Sequence, residues 1–459
     1  LPIHFLKIQH TMQKKITIIG AGLVGSLSAI YLAKRGYIVN VYERRQDARK
    51  TNIYAGRSIN LALSDRGWLA LEKTGISADI KQIAIPMYGR QLHYADSSQA
   101  FYAYGKNDQA IYSVSRGTLN MRLLDLADAF DNVTLHFEHK ATSVDLAAGT
   151  ALVEHEGNDT LTHADLLLCT DGAYSTGRMG MQLGMEQFNY NQFYIDCGYK
   201  ELTIPAGANG AYLVQKEALH IWPRGKYMMI ALPNLDGSFT CTLFFPFEGA
   251  PSFNSLQTRE QVTQFFNEQF ADAVAIMPEL VDEYMRNHNS PLVTVKCSPW
   301  TMHNKFALMG DAAHALVPFF GQGMNCGFED VRVFDELIDK HNENFTEVLK
   351  EYQTLRKPDA DAIADMALNN FREMSELSAD PMFQLQKKIE ANINAKYPEV
   401  WIPAYSLVTF SPQVRYSEAL QRGQNQQRIM DTILQQPNIA TNWDSAEIVE
   451  QAIAMLKAN

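Results

Sequence analysis

In "LMGDAAHALVPFFGQGMNCGFEDV", residues 308–331, Asp311 follows an apolar run and precedes an uncharged loop with Phe319, Phe320, Gly321, Gln322 and Gly323, and this is where the chain could do chemistry. The periodicity predicts a helix starting near Gly323, with an apolar face at Met324, Gly327, Phe328, Val331, Phe334 and Ile338. Its N-terminus then points into the loop, where free amides and the positive end of the helix stabilise negative charge without adding a titrating group. Gly321 and Gly323 let backbone come close to a ligand, Pro318, Phe319 and Phe320 keep the place dry, and Gln322 is its one neutral polar side chain. His314 is the titratable group nearest the loop, and it reads as structural.

A second constellation names the ligand class. In "KKITIIGAGLVGSLSAIYLAKRGYIVNVYERR", Gly20, Gly22 and Gly25 occupy the three positions of GxGxxG between two short β-branched strands and a helix. These are the positions where a chain must turn sharply, approach a pyrophosphate and pack helix on strand. Glu43 closes the second strand, where a carboxylate accepts hydrogen bonds from a ribose; an acid there disfavours a 2′-phosphate, leaving NAD or FAD. No second fingerprint follows, which points to FAD as the resident cofactor and to any pyridine nucleotide as a transient visitor. Asp171-Gly172 and Gly310-Asp311 each end an apolar strand, where ligands of α/β sheets collect. Taken singly, either aspartate reads as a turn or an N-cap; in this order behind GxGxxG, both read as flavin contacts. A reduced flavin carries negative charge on its pyrimidine side, which suits the helix start at Gly323.

The elements that must position these residues imply an α/β architecture. A Rossmann-like FAD-binding domain is expected over 12–75, 106–184 and 298–375. A β-rich substrate-binding domain, with an inserted antiparallel sheet, is expected over 76–105 and 185–297, from apolar alternation and the turn signals Pro-Arg-Gly and Asp-Gly. A helical C-terminal region follows over 376–459, with helical periodicity at 328–375, 383–395 and 412–457. The 459 residues are 46% hydrophobic and 20% charged, enough for two or three domains with sizeable cores. A net charge of −11 disfavours nucleic acid and anionic membranes, and no apolar run is long enough to span a bilayer. Five scattered cysteines, with no CxxC and no metal-ligand spacing, suit reduced thiols in a cytoplasm and predict no metal site. Residues 1–11 read as an extension ahead of Met12.

The glycine fingerprint with Glu43, the Asp-Gly of residues 171 and 172 and the Gly-Asp of residues 310 and 311 resemble the single-component FAD-dependent aromatic hydroxylases. "GRSINLALSDRG", "YKEL", "ALHIWPRG", "MIALPNLDGSFTCTLF", "GDAAHALVPFFGQGMNCGFED" and "YSLVTFS" look like the kynurenine 3-monooxygenase family within them, over nearly the whole chain. The resemblance implies non-covalent FAD, NADPH as transient co-substrate, O2, and hydroxylation of L-kynurenine at carbon 3 through a peroxyflavin. It implies substrate contacts at Arg90, Tyr104, Asn370 and Tyr405, with Phe319, Gln322 and Met374 beside them. Flavin contacts carry over to Glu43, Arg44, Arg116, Asp311, Met324 and Asn325. Some members carry His where Phe320 stands, so no polar role transfers there. The membrane-anchoring tail of mitochondrial members is missing, which implies a soluble bacterial form, monomeric or homodimeric.

The implied chemistry is consistent with the residues. An aniline ring is already electron-rich, so no catalytic base is needed, and none is expected. Arg90 can clamp the amino-acid carboxylate while Tyr104 and Asn370 add hydrogen bonds. Two other readings remain at this level: a flavin hydroxylase of phenolic acids, and an FAD-fold protein without turnover.

Overall fold

A computed structural model describes residues 13–51, 59–104, 109–373 and 380–458; Met374 and the extension at 1–11 lie outside them. β1 (Lys15–Ile19), α1 (Leu23–Lys34) and β2 (Ile38–Glu43) form the expected βαβ unit, with β1 and β2 paired in parallel. The unit lies in a six-stranded sheet ordered Thr301–Met302, Phe306–Leu308, Leu166–Cys169, β1, β2, Val133–Phe137. All pairs are parallel except the edge hairpin at Thr301–Met302. Helix α1 is buried from Gly25 to Ala33, since helices Arg116–Asp128 and Gly323–Lys340 cover the side that the sheet leaves. Both Asp motifs fall at the C-terminal ends of parallel strands, as the apolar-run-then-aspartate pattern requires.

The second layer is a seven-stranded sheet ordered Ser290–Ser298, Asn189–Ile204, Phe239–Phe245, Met228–Pro233, Ala218–Pro223, Gly89–His93, Gln99–Ala103. The Pro-Arg-Gly and Asp-Gly signals make turns in it, with Gly225 at φ 67° and Gly237 at φ 91°. It departs from the expected antiparallel sheet in one pair. Ala218–Pro223 and Gly89–His93 run parallel, because the latter arrives from the distant first insertion and not through a hairpin. Residues 259–286, expected in a β-rich segment, instead form the helices Arg259–Gln269, Ala271–Val274 and Leu280–Arg286. Their Phe265, Phe266, Phe270 and Tyr284 cover the sheet's back face around Trp222, Phe239 and Phe245, which would otherwise be bare.

Further details concern boundaries. The segment after residue 75 is not wholly substrate-side: Ile76 and Ile80 pack in the core of the six-stranded sheet. Strand Ala84–Met87 joins Asn60–Leu63 and Ile111–Ser115 in a small bridging sheet. The helical periodicity over 328–375 falls on two helices, Gly323–Lys340 and Phe345–Arg372, broken where Asn342 and Glu343 adopt positive φ. In the same way 412–457 divides into Tyr416–Leu434, Ile439–Asn442 and Ala446–Ala458, with Asn438 at φ 61° marking the break. Ile389, Trp401, Met430 and Ile453 form a C-terminal core of their own, while Leu407, Val408, Tyr416 and Ala419 pack with Cys326, Ala362 and Ile363. Among the described residues no helix is long and apolar enough to cross a membrane, and all five cysteines are free and buried.

Candidate active site

A cavity of about 450 Å³ runs from the β1–α1 turn to the inner face of the seven-stranded sheet. At its outer end the three fingerprint glycines have three separate reasons. Gly20 turns the chain at φ 98°, and a Cβ there would stand 2.8 Å from the Thr170 carbonyl oxygen. A Cβ on Gly25 would sit 1.9 Å from the Gly20 oxygen, so Gly25 packs helix against turn and does not line the cavity. Gly22 lines the cavity, and a Cβ there meets nothing within 4 Å. That open cradle beside the N-terminus of α1 fits a pyrophosphate. Gly323, first residue of its helix, is open in the same way.

The polar lining fits the rest of an FAD. Glu43 lines the cavity with one oxygen accepting from the Ala21 amide and the other from the Arg45 amide, each at 3.0 Å, which fixes the carboxylate at the end of β2. Arg44, Arg116, Asp171, Asp311 and Met324 also line it. Asp171 spends one oxygen on the Thr176 and Gly177 amides at 2.6 and 3.3 Å; its other oxygen is buried without a partner, and burial pushes the carboxyl up. Asp311 is exposed to the cavity and makes no side-chain hydrogen bond among the described residues, leaving both oxygens available to hydroxyls. Asn325 is different: its side chain is fully buried and outside the lining. Its Oδ1 accepts from the Ser64 amide at 3.0 Å, and its Nδ2 donates to the Ala62 and Gly321 oxygens, each at 2.9 Å. The amide ties the loop to the bridging sheet, and both of its ends are committed to protein.

At the inner end, strand alternation builds an apolar floor. Met228, Ile230 and Leu232 face the cavity while Met229 and Ala231 face the helices behind, and Phe244, Leu219 and Ile221 extend the floor. Arg90, opposite Leu219 in the parallel pair, enters the same face. Its guanidinium lies 4.3 Å from the Tyr405 ring centroid and 5.3 Å from that of Tyr104. Arg90 Nε and the Tyr104 hydroxyl are both buried without a hydrogen-bond partner. Asn370 lines the cavity and donates through Nδ2 to the Phe319 oxygen at 2.6 Å, while Phe319 packs on Phe371 and Phe244. Gln322, 2% exposed, completes the wall.

Two family-specific stretches have structural reasons. His220 and Trp222 of "HIWP" face away from the cavity. There His93 Nε2 is 2.9 Å from His220 Nδ1, His93 Nδ1 is 3.0 Å from Asp272 Oδ2, and Trp222 Nε1 donates to the same oxygen at 2.9 Å. This network pins the strand that carries Arg90. His314 is buried outside the cavity, as read, with Nε2 2.5 Å from Asp330 Oδ2; Arg356 donates to Asp330 Oδ1 at 2.7 Å. Although burial opposes charge, Asp330 holds the imidazole well above its ordinary range. Sequence reasoning missed Tyr199 and Thr242 of the floor and Tyr42 and His139 at the outer end. For the first two, the alternation of the strands was the available signal.

Comparison with known proteins agrees with this geometry. A family model described as FAD binding domain matches residues 13–367. Kynurenine 3-monooxygenase of Flavobacterium johnsoniae is 48% identical over 445 residues, covering 96% of this chain and 99% of that protein. The enzyme of the same name from Dictyostelium discoideum is 46% identical, covering 92% and 94% of the two chains, and that from Sus scrofa 44%, covering 91% and 88%. Among solved structures, 2-methyl-3-hydroxypyridine-5-carboxylic acid oxygenase superposes with a TM-score of 0.66 at 18% identity, covering 88% of this chain and 98% of that one. PqsL of Pseudomonas aeruginosa superposes with a TM-score of 0.64 at 19% identity, covering 79% and 97%. These two speak to the fold. By the family model and by its identity to full-length relatives, the chain belongs to the FAD-binding-domain family and, within it, to the kynurenine 3-monooxygenases.

Proposed function

We propose that the protein hydroxylates L-kynurenine to 3-hydroxy-L-kynurenine with FAD as resident cofactor and NADPH and O2 as co-substrates. The observation that carries the reading is Arg90, which lines the cavity beside an apolar floor with its buried Nε unpartnered, while Tyr104, its hydroxyl also buried and unpartnered, sits outside the lining and packs against Leu232 and Tyr405. A buried charged donor without a partner is costly, and a carboxylate in the cavity satisfies it. The amino-acid tail of kynurenine supplies that carboxylate, and its ring then lies along Met228, Ile230, Leu232 and Phe244.

Bound FAD supplies the activation of oxygen; one oxygen atom becomes the ring hydroxyl, the other leaves as water, and NADPH provides the two electrons. The chain's own part is to bind, orient and keep dry. Gly22, Glu43, Asp171, Asp311, Arg44 and Arg116 would hold the dinucleotide, and the Gly323 helix start would face the flavin's pyrimidine side. Pro318, Phe319 and Phe320 exclude water. The lining residues from the seven-stranded sheet and from loop 316–322 include no histidine, lysine or carboxylate. An aniline, activated by its own amino group, needs none.

The test is NADPH oxidation and product formation by the FAD-loaded protein, with and without L-kynurenine and with 4-hydroxybenzoate as comparison. Stimulation and hydroxylated product with kynurenine alone support the reading. Stimulation by the phenolic acid, or by neither compound, overturns it.

A further inference from the structure

Tyr416, the first residue of helix Tyr416–Leu434, is fully buried and stands outside the segment matched by the FAD-binding model. Its hydroxyl donates to Oε1 of Gln322 at 2.9 Å. Burial pushes the phenol's ionisation well up, so it stays a donor. Among the described residues that oxygen is the one acceptor its proton has. Turning the Gln322 amide over would strand the proton in a buried place. The phenol therefore decides which end of the amide faces the cavity: the N–H end.

The ring is held as firmly as the hydroxyl. The Arg66 guanidinium lies 4.0 Å from the Tyr416 ring centroid. Arg66 is itself fixed by the Val408 oxygen at 2.7 Å and by Glu329 Oε1 at 3.0 Å. Val408 lies in helix Ala404–Phe410, which carries Tyr405, and Glu329 lies in the helix that begins at Gly323. One buried arginine thus joins the substrate-side helix, the cofactor-side helix and the phenol that orients Gln322.

We propose that Tyr416 is a positioning residue for the hydroxylation: it holds Gln322 so that the amide N–H donates to the ketone oxygen of the bound aryl ketone. The inference rests on the kynurenine reading. With the carboxylate at Arg90 and the ketone at Gln322, the substrate is held at two points, which fixes the direction of the ring between them.

Tyr416→Phe removes one O–H and leaves the ring under Arg66. Binding is read from the perturbation of flavin absorbance without NADPH, for L-kynurenine and for its analogue with CH2 in place of the ketone. Expected are FAD content equal to wild type, a melting temperature lowered only by the one lost hydrogen bond, and L-kynurenine bound roughly 3- to 10-fold more weakly. The analogue should bind the two proteins alike. Gln322→Leu should reproduce the loss, and adding Tyr416→Phe to it should change nothing more. Unchanged kynurenine affinity in Tyr416→Phe, or an equal loss for the ketone and CH2 ligands, overturns the proposal. If wild type binds neither ligand, it is the kynurenine reading that fails.

Discussion

The Arg90 guanidinium lies 4.3 Å from the centroid of the Tyr405 ring, although the two residues come from opposite ends of the chain. Strand Gly89–His93 brings the first and helix Ala404–Phe410 the second. The aromatic face shields the cation and leaves its Nε to a ligand. Arg90→Met keeps much of the length and removes every donor. Losing a buried charged hydrogen-bond partner costs about 2–5 kcal/mol, so apparent kynurenine affinity should fall roughly 30-fold or more. Steady-state assays should show unstimulated NADPH oxidation near the wild-type rate, little stimulation by millimolar L-kynurenine and almost no hydroxylated product. Full stimulation with normal coupling would remove Arg90 from the site.

Gly22→Val separates cofactor binding from folding. The backbone there has φ −72° and ψ −174°, which any residue adopts, and the new side chain would meet no protein atom within 4 Å of its Cβ. It would fill the pyrophosphate cradle instead. The expected product is a folded, colourless protein with the circular dichroism of the wild type and no retained FAD. Gly25→Ala, whose Cβ would lie 1.9 Å from the Gly20 oxygen, should fail to fold. Flavin retained at one per chain in Gly22→Val would show that the pyrophosphate lies elsewhere.

His314 and Asp330 make stability depend on alkaline pH. The imidazole's pKa is raised well above its ordinary 6.5, so the pair's contribution is complete below that value and is lost as pH climbs through the raised one. Urea midpoints should hold up to about pH 6.5 and decline from there as pH rises toward the raised value. His314→Gln, which has no such proton, should start lower and show a flatter alkaline limb. Equal slopes for the two proteins would assign the alkaline loss to other groups.

The parts of the fold that local chemistry dictates were legible in the sequence. GxGxxG demanded a tight turn between parallel strands, and the face from Met324 to Ile338 demanded burial; Met324, Phe328, Val331, Phe334 and Ile338 are all buried. What was not legible depends on partners distant in sequence. Nothing local to Gly89–His93 says that it pairs in parallel with Ala218–Pro223. Nothing near Phe265 and Phe266 says that a sheet's back face needs covering. The C-terminal role of Tyr416 was hidden for the same reason, since its partner Gln322 is 94 residues away.

Asn325 can act on the flavin or on the fold, and the two roles predict different mutants. A flavin-facing amide at this position would tune the reduced cofactor, and Asn325→Leu would then lower the flavin's midpoint potential while FAD stayed bound. The structure commits both ends of the amide to protein: the Ser64 amide at 3.0 Å, and the Ala62 and Gly321 oxygens each at 2.9 Å. Leucine matches the volume and satisfies none of the three. Each stranded buried group costs about 1–3 kcal/mol, and the loss falls on the contact that holds loop 316–322 to strand Asn60–Leu63, both of which line the cavity. Asn325→Leu should therefore lose stability by about 3 kcal/mol or more in urea titration and lose FAD in parallel. A fully stable, flavin-replete variant whose one change is a lower potential would return the side chain to the flavin and overturn this assignment.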